Sequence, residues 1–207
     1  MLDLIATELK LALSVRQRES LLQYVALLQK WNATYNLTSI RDPLQMMVQH
    51  IADSLAVVAP LAQQAIGASP RLLDAGSGAG LPGVVMAILR PQWRITCVDA
   101  VGKKMAFVRQ AAGELRLSNV DAVHARLESL VGLHADVVVS RAYASLQDMI
   151  ASTRHHLAPG GVWAAMKGKM PTPEVAALAA DIEMFHVEPL TVPFLHAERC
   201  VVWMRLR

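Results

Sequence analysis

The sequence predicts an α/β fold with a mainly parallel, seven-stranded sheet and an N-terminal helical extension. Three observations predict this fold. Residues 1–66 carry apolar positions at helical spacing, whereas short β-type runs alternate with helical stretches after residue 67. No helical pattern separates the last two β-type runs, so we expect an antiparallel pair at the sheet edge.

Composition favours a globular protein of the cytoplasm. The chain has 207 residues, of which 54% are hydrophobic and 18% are charged, enough apolar material for a sizeable core. Polar residues interrupt each apolar run before the roughly 18 residues that a membrane span needs. The N-terminus carries acids at Asp3 and Glu8 and lacks the basic region and the small-residue cleavage site of an export signal. We therefore expect a cytoplasmic protein with no membrane partner.

Charge and cysteine content narrow the functional classes. The formal net charge of +3 permits a nucleic-acid partner without establishing one. Cys97 and Cys200 lie in separate apolar runs, which predicts buried, reduced thiols. This pattern excludes a disulfide framework and a CxxC-type zinc site, and we expect no metal.

Two amphipathic helices are predicted in the N-terminal part. The first begins after Ser14, a candidate N-cap, and runs to about Ala33. The second begins at Asp42-Pro43, where proline occupies the first helical position, and runs to Pro60. The break at residues 67–70 then divides the chain into an N-terminal helical subdomain, residues 1–66, and a second domain, residues 67–207.

Strands and helices alternate in the second domain. The predicted β-type runs are 71–74, 93–99, 121–125, 135–140, 161–166, 185–192 and 200–206. The predicted helices are 81–89, 103–115, 146–157 and 173–182, the last with Thr172 as its cap.

The segment 72–83 carries the strongest functional signal. It leads from a buried strand through a glycine-dense turn into a helix. Gly76, Gly78 and Gly80 permit positive φ angles and let a ligand approach the backbone, while the helix N-terminus offers free N–H groups. A merely tight turn needs fewer glycines, so we interpret the segment as a ligand-binding loop.

Two nucleotide-like ligands fit this loop. Gly78-x-Gly80-x-x-Gly83 with a later acid at Asp99 also matches the dinucleotide fingerprint. Asp74 favours S-adenosylmethionine, because a carboxylate suits a cationic sulfonium and repels a diphosphate. The chain is also too short for the separate substrate domain of a dehydrogenase.

Two further segments are candidates for contact with an adenosine. Asp99 ends the second β-type run and can accept hydrogen bonds from ribose hydroxyls, or it can cap the helix that begins near Lys103. Residues 124–128 follow the third run, where the adenine of such a ligand lies. From its residues alone, an ordinary solvated turn is the simpler interpretation of 124–128.

Several motifs together resemble a known family. They are KWNATYNLTS at 30–39, RDP at 41–43, HIADS at 50–54, DAGSGAGLPG at 74–83, SRA at 140–142 and MKG at 166–168. Over almost its whole length the chain resembles the bacterial small-subunit ribosomal RNA guanine-N7 methyltransferases, also called glucose-inhibited division protein B. The resemblance implies a class I, Rossmann-like methyltransferase that uses S-adenosylmethionine. The implied acceptor is N7 of a guanine in the decoding region of 16S ribosomal RNA, within the small subunit or an assembly intermediate, with no obligate protein partner.

The resemblance also implies roles for individual residues. Gly76 and Leu81 match cofactor contacts, and Leu127 and Glu128 match the adenine side. Arg141 matches a residue where cofactor and target meet, and we expect it to position them rather than act as a base. The predicted cofactor site therefore comprises Asp74, Gly76, Gly78, Gly80, Leu81, Asp99, Arg126, Leu127, Glu128 and Arg141.

Other polar residues are candidates for RNA contact, each with a simpler structural alternative. They are Arg41, His50, Asp53, Lys103, Lys104, Lys167 and Lys169. Cations such as Lys103 and Lys104 are unfavourable at a helix start unless an anion is near. His50 and Asp53 at i and i+3 also suit a local helix-stabilising pair.

A structural role is predicted for two further sets of residues and is the alternative to a functional role for Arg141. A salt bridge to Asp136 or Glu128 is the alternative for Arg141. We expect the pair 155–156, both histidines, to cap a helix or lie at the surface. Trp31, Tyr35 and Leu37 are expected to pack between the N-terminal helices and the sheet.

Two functions of other classes stay open from the sequence. An NAD-dependent oxidoreductase fits the glycine pattern, and a non-enzymatic adenosine-binding module fits the loop. A methyltransferase with another substrate is a third alternative, although the Pro-Pro-Tyr type motif of DNA amino-methylating enzymes is missing after residue 140.

Overall fold

The computed structural model describes residues 1–65, 67–141 and 143–207, so residue 66 of the predicted domain boundary and Ala142 of the SRA motif lie outside it. The strands are β1 (Arg71–Ala75), β2 (Arg94–Asp99), β3 (Val120–His124), β4 (Ala135–Arg141), β5 (Leu157–Lys167), β6 (Ile182–Pro189) and β7 (Cys200–Leu206). They form a seven-stranded sheet in the order β3-β2-β1-β4-β5-β7-β6. Strands β1 to β5 pair in parallel, whereas β7 pairs antiparallel with β5 and β6. The predicted sheet and its antiparallel edge are confirmed.

The N-terminal helices begin at the residues that the sequence indicates. Helix α1 (Leu2–Glu8) precedes α2 (Val15–Tyr35). Ser14 and Gln17 cap α2 reciprocally, each side chain accepting from the other's backbone N–H. The helix ends at Asn36, which adopts a left-handed φ of 48°.

A continuous helical segment runs from Pro43 to Gln64. It comprises α3 (Pro43–Met46), a π-helical turn (Met47–Ala52), α4 (Asp53–Ala56) and α5 (Val58–Gln64). The segment continues past Pro60, its predicted end, because this proline lies in the first turn of α5, where a backbone N–H is not needed.

The segment Pro43–Gln64 has the length and apolar composition of a membrane span, which corrects the expectation that every apolar run is interrupted too early. Within the protein, 67% of its most apolar window is buried. Its apolar side chains, such as Ile51, Leu55 and Val58, lie in the core. Core packing therefore accounts for its composition.

Four helices connect the strands. They are α6 (Gly83–Leu89), α7 (Gly102–Glu114), α8 (Leu146–Thr153) and α9 (Thr172–Ala176). Helix α9 is shorter than predicted and begins at Thr172, which therefore does not cap it. Helix α8 gives way to a 3-10 turn at Arg154–His156, and β5 begins earlier than predicted.

The core forms two layers on opposite faces of the sheet. One layer joins the N-terminal helices to β-strand residues, with Tyr24, Ile51 and Phe107 fully buried. The other gathers around Trp163 under α8. The helices of residues 2–64 thus share a core with the sheet, and the division at residue 66 stays a prediction. Cys97 and Cys200 are buried free thiols, as predicted.

Candidate active site at the carboxyl edge of the sheet

The glycine loop turns sharply at the end of β1. Gly76, Gly78 and Gly80 have φ angles of +67°, +59° and +85°, a region that L side chains rarely adopt. A Cβ at Gly80 would lie 2.5 Å from a methyl group of Val84, so this glycine permits close packing of the loop on α6. At Gly78 a Cβ would meet no atom within 4 Å, which leaves that side of the loop open.

Asp99 connects this loop to the next one. Its Oδ2 accepts from the Gly78 amide at 2.9 Å, and its Oδ1 accepts from the Val101 amide at 2.8 Å. Val101 is the N-cap of α7 and makes no side-chain cap bond, so Asp99 is not the helix cap. The Lys104 ammonium lies 3.9 Å from Oδ2. Asp99 therefore supplies the anion that offsets the unfavourable position of Lys104 at a helix start.

Asp74 lies beneath the loop and is fully buried. Its Oδ2 accepts from the Gly83 amide at 2.8 Å, whereas Oδ1 has no partner among the described residues. Burial raises the pKa of this carboxyl to about 7. Asp74 lines neither of the cavities beside the loop, and its contact with a cationic ligand stays a prediction. It braces the loop from below.

A cavity of about 350 Å³, here called the cofactor cavity, opens at the carboxyl ends of the strands. Most of the predicted cofactor residues line it, namely Gly76, Asp99, Arg126, Leu127, Glu128 and Arg141. Tyr143, which the sequence did not single out, closes one wall. Gly78 and Leu81 instead line a smaller cavity of about 240 Å³, which shares Gly76 and Arg141 with the cofactor cavity. Gly80 lines neither cavity.

A buried histidine holds the segment that carries Leu127 and Glu128. The His156 side chain is fully buried, and its two ring nitrogens lie 3.3 Å from the Leu133 amide and 3.0 Å from the Leu127 carbonyl oxygen. Nδ1 accepts from the Leu133 N–H, so Nε2 carries the hydrogen and donates to the Leu127 carbonyl. Burial lowers the pKa of this ring. The expected cap or surface role is therefore wrong for His156. A histidine pair at a helix end carries no sequence signal for this role.

The cofactor cavity offers hydrogen-bond acceptors that fit the ribose and amino groups of an adenosine. Asp99 and Glu128 place two carboxyl groups in its walls. Carboxylates accept hydrogen bonds from ribose hydroxyls and an amino group. Arg126 and Arg141 in the same lining balance the charge of the two acids. Gly76, which lines this cavity, has no side chain to enter it, and its φ of +67° favours glycine at this position.

A second cavity of about 360 Å³, here called the acceptor cavity, lies beside the first. It is lined by Ile40, Gln49, His50, Asp53, Arg141, Met166, Lys167, Gly168 and Arg199. Arg141 lines the cofactor cavity as well, so its side chain stands where the two cavities meet. Three predicted RNA residues, His50, Asp53 and Lys167, converge here, whereas the other four, Arg41, Lys103, Lys104 and Lys169, do not line this cavity.

Arg141 is held by the N-terminal helices. Its Nη1 lies 3.3 Å from Asp53 Oδ2 and donates to the Gln49 carbonyl at 3.0 Å. The expected salt bridge to Asp136 or Glu128 is therefore wrong. Asp136 lies at the opposite end of β4 and accepts from the Arg71 amide at 2.8 Å.

Two more contacts complete the acceptor cavity. The Lys167 ammonium lies 2.9 Å from Glu174 Oε2, so it has an anionic partner within the protein as well as a position in the cavity wall. Arg199, just before β7, donates from Nε to Asp53 Oδ1 at 3.0 Å. Arg199 was not predicted as a site residue, because it lies outside the motifs. The antiparallel pairing of β7 with β5 brings it to the carboxyl edge of the sheet.

The Trp31 ring packs edge-on against Phe107 with centroids 5.7 Å apart, and Leu37 is buried. Trp31 thus contacts α7, and both residues belong to or pack against the core layer that joins the N-terminal helices to the sheet, as expected. Tyr35 stays 44% exposed, because it is the last residue of α2.

The strand order, the glycine loop and the carboxylate-lined cavity define a class I methyltransferase that takes its methyl group from S-adenosylmethionine. The "SAM dependent methyltransferase from Aquifex aeolicus" shares this fold, with a TM-score of 0.54 over 79% of this chain and 93% of that chain at 14% identity. The family model described as rRNA small subunit methyltransferase G matches residues 17–202, and the chain belongs to this family.

Two relatives with the name "Ribosomal RNA small subunit methyltransferase G" cover nearly the whole chain. The protein of Leptothrix cholodnii is 58% identical over 195 residues, 94% of this chain and 89% of its own length. The protein of Methylibium petroleiphilum is 54% identical over 199 residues, 96% of this chain and 90% of its own length. The oxidoreductase and binding-module alternatives are thereby excluded.

Proposed function

We propose that this enzyme methylates N7 of a guanine in the decoding region of 16S ribosomal RNA, acting in the cytoplasm on the small subunit or an assembly intermediate. Family membership supports ribosomal RNA as the acceptor. One structural observation carries the rest: Arg141 lines both the cofactor cavity and the acceptor cavity. A single guanidinium therefore lies within reach of both reacting partners.

The chemistry of guanine N7 suits these residues. N7 carries a free lone pair at neutral pH, so a C–N bond forms while the C–S bond breaks and its electron pair stays on sulfur. No proton is released, and no general base is required. S-adenosylmethionine supplies the electrophilic methyl group when it is bound.

The protein's own contribution is then orientation and electrostatics. The cofactor cavity presents the carboxyl groups of Asp99 and Glu128 to a cationic donor. The acceptor cavity presents Arg141, Lys167 and Arg199 to an anionic RNA. Guanidinium groups also match the O6 and N7 edge of guanine and the phosphate oxygens. The acceptor cavity thus has an excess of cations for an anionic RNA. The cofactor cavity, where Arg126 and Arg141 balance the two acids, contributes carboxylate acceptors rather than a net negative charge.

The test is transfer of labelled methyl groups to RNA that lacks the modification. Small subunits and naked 16S ribosomal RNA are purified from a strain without the gene and incubated with the enzyme and labelled S-adenosylmethionine. We expect one label per subunit, located at a guanine N7 of the decoding region and detected by chain cleavage at 7-methylguanine. Label at another atom or outside that region would refute the proposed acceptor.

A further inference from the structure

One buried carboxylate joins two arginines that are distant in the sequence. The Asp53 side chain is 4% exposed, and its two oxygens lie 3.3 Å from Arg141 Nη1 and 3.0 Å from Arg199 Nε. Arg141 ends β4, and Arg199 precedes β7, so the three residues come together only in the folded chain. A carboxylate buried between two guanidinium groups fixes the direction of both, because each bond is charge-assisted.

His50 approaches the same arginine from the π-helical turn. Its Nδ1 lies 3.5 Å from both Nη atoms of Arg141, and its Nε2 lies 2.9 Å from Thr38 Oγ1. Arginine can only donate, so Nδ1 is the unprotonated nitrogen and Nε2 carries the hydrogen. The ring therefore donates to Thr38 and turns its lone pair toward Arg141.

The acceptors around Arg141 come from one short stretch of helix. They are the Gln49 carbonyl, the His50 ring and the Asp53 carboxylate. This stretch includes the π-helical turn Met47–Ala52, and such turns frequently occur at functional sites because they change which side chains share a face. All three acceptors meet the guanidinium of Arg141, and two of them engage Nη1 alone, by the bonds of 3.0 and 3.3 Å.

We propose that His50 and Asp53 are positioning residues: they hold the Arg141 guanidinium at the junction of the two cavities, and Asp53 orients Arg199 on the far wall of the acceptor cavity. The N-terminal helices thereby set the position of the target base relative to the methyl donor. This inference rests on the proposed function, since it assumes that Arg141 orients the acceptor. It assigns His50 and Asp53 no direct bond to the RNA.

The first test is a double-mutant cycle in the full-length enzyme. Asp53→Asn is expected to lower kcat by about 100-fold, the cost of a misplaced reacting group, with little change in cofactor affinity. In an Arg141→Ala background the same substitution is expected to have a much smaller effect, because the residue through which it acts is gone. If the double variant instead loses the product of the two single-variant fold-changes in kcat, the residues act independently and the proposal is overturned.

Two further variants separate positioning from stability. His50→Asn keeps an acceptor at the position of Nδ1, whereas His50→Leu removes it, so Asn is expected to retain more of kcat than Leu. Asp136→Asn is the matched control, because Asp136 contacts Arg71 at the opposite end of β4 and is expected to leave kcat unchanged. If Asp53→Asn does not fold, the double-mutant cycle with Arg141→Ala is made with His50→Asn and His50→Leu instead. Equal losses for both His50 variants would contradict the proposal.

A second readout needs no RNA. Nitrogen NMR of the histidine rings reports the tautomer of His50, which is expected to be the Nε2–H form. The Arg141 charge lowers the pKa of this ring, so Arg141→Ala is expected to raise it, while Asp53→Asn is expected to lower it. If neither substitution changes the pKa of the His50 ring, the proposal is overturned. If the ring responds as expected but no guanine N7 is methylated, the proposed acceptor fails and the positioning contact stands.

Discussion

The Gly78 amide donates a 2.9 Å hydrogen bond to Asp99 Oδ2, although the two residues lie 21 positions apart. This bond ties the loop after β1 to the loop after β2. The second oxygen of the same carboxylate accepts from Val101 at 2.8 Å. Asp99 therefore shapes the glycine loop and lines the cofactor cavity at the same time.

Replacing Asp99 by Ala is expected to weaken the binding of S-adenosylmethionine and also to lower stability. Each lost charge-assisted bond costs about 1.5 to 3 kcal/mol, and two backbone N–H groups lose their acceptor. Calorimetric titration and thermal unfolding measure the two effects separately. A lower Tm with unchanged affinity would leave Asp99 as a brace of the loop alone.

Replacing Gly78 by Ala is expected to reduce cofactor affinity while the protein stays folded. The φ of +59° costs an L residue about 1 to 2 kcal/mol. A loop that relaxes this strain moves the Gly78 amide, which binds Asp99 in the wall of the cofactor cavity. Gly113→Ala is the matched control, since its Cβ also meets no atom within 4 Å but its backbone is helical. The control is expected to bind the cofactor normally and to gain stability, as judged by titration and chemical denaturation. Equal affinities for the two variants would exclude the loop from the site.

The fold follows from local patterns that a single sequence shows. The Ser14 and Asp42 caps mark where two helices begin. The parallel strands are recognised in the sequence as short apolar runs between helical segments. The glycine loop is equally local, because positive φ angles require glycine at fixed positions. These features were predicted at or near their observed positions.

Contacts between distant segments could not be predicted in this way. The ion pairs of Asp53 join residues 88 and 146 positions apart in the sequence. Sequence spacing predicts contacts of Asp53 only with residues on the same helix, so its ion pairs with Arg141 and Arg199 could not be predicted. The same limit applies to His156, whose partners lie in a loop before β4.

Acidification is expected to destabilise the protein through His50. Burial is the main cause that lowers the pKa of this ring to about 4, from an ordinary value of 6.5, with the Arg141 charge second. The unfolded chain therefore binds more protons between these values, and stability falls as pH decreases through that window, by up to about 3 kcal/mol.

The control for this pH effect is His50→Asn, which cannot titrate. Asp74 contributes to the pH dependence of stability with the opposite sign. Its raised pKa makes the folded state hold a proton, so this contribution to stability is lost as pH increases toward 7. The difference between wild type and variant cancels this contribution. Urea unfolding at pH 5 and pH 7 is expected to show wild type gaining more stability than the variant at the higher pH. A difference that does not change with pH would mean that His50 titrates normally.

Arg141→Lys is expected to rescue little of the activity that Arg141→Ala loses. The guanidinium is engaged by the Gln49 carbonyl and the Asp53 carboxylate at 3.0 and 3.3 Å, and a planar group satisfies both while it lines both cavities. An ammonium keeps the charge but lacks this planar shape, so it can pair with Asp53 or reach the acceptor, not both. We expect both variants to stay folded, to bind S-adenosylmethionine, and to transfer methyl groups about 100-fold more slowly than wild type. Single-turnover methyl transfer to small subunits measures this rate apart from binding and product release. Normal transfer by the Ala variant would show that Arg141 only anchors the N-terminal helices, whereas full activity of the Lys variant would show that charge alone is enough.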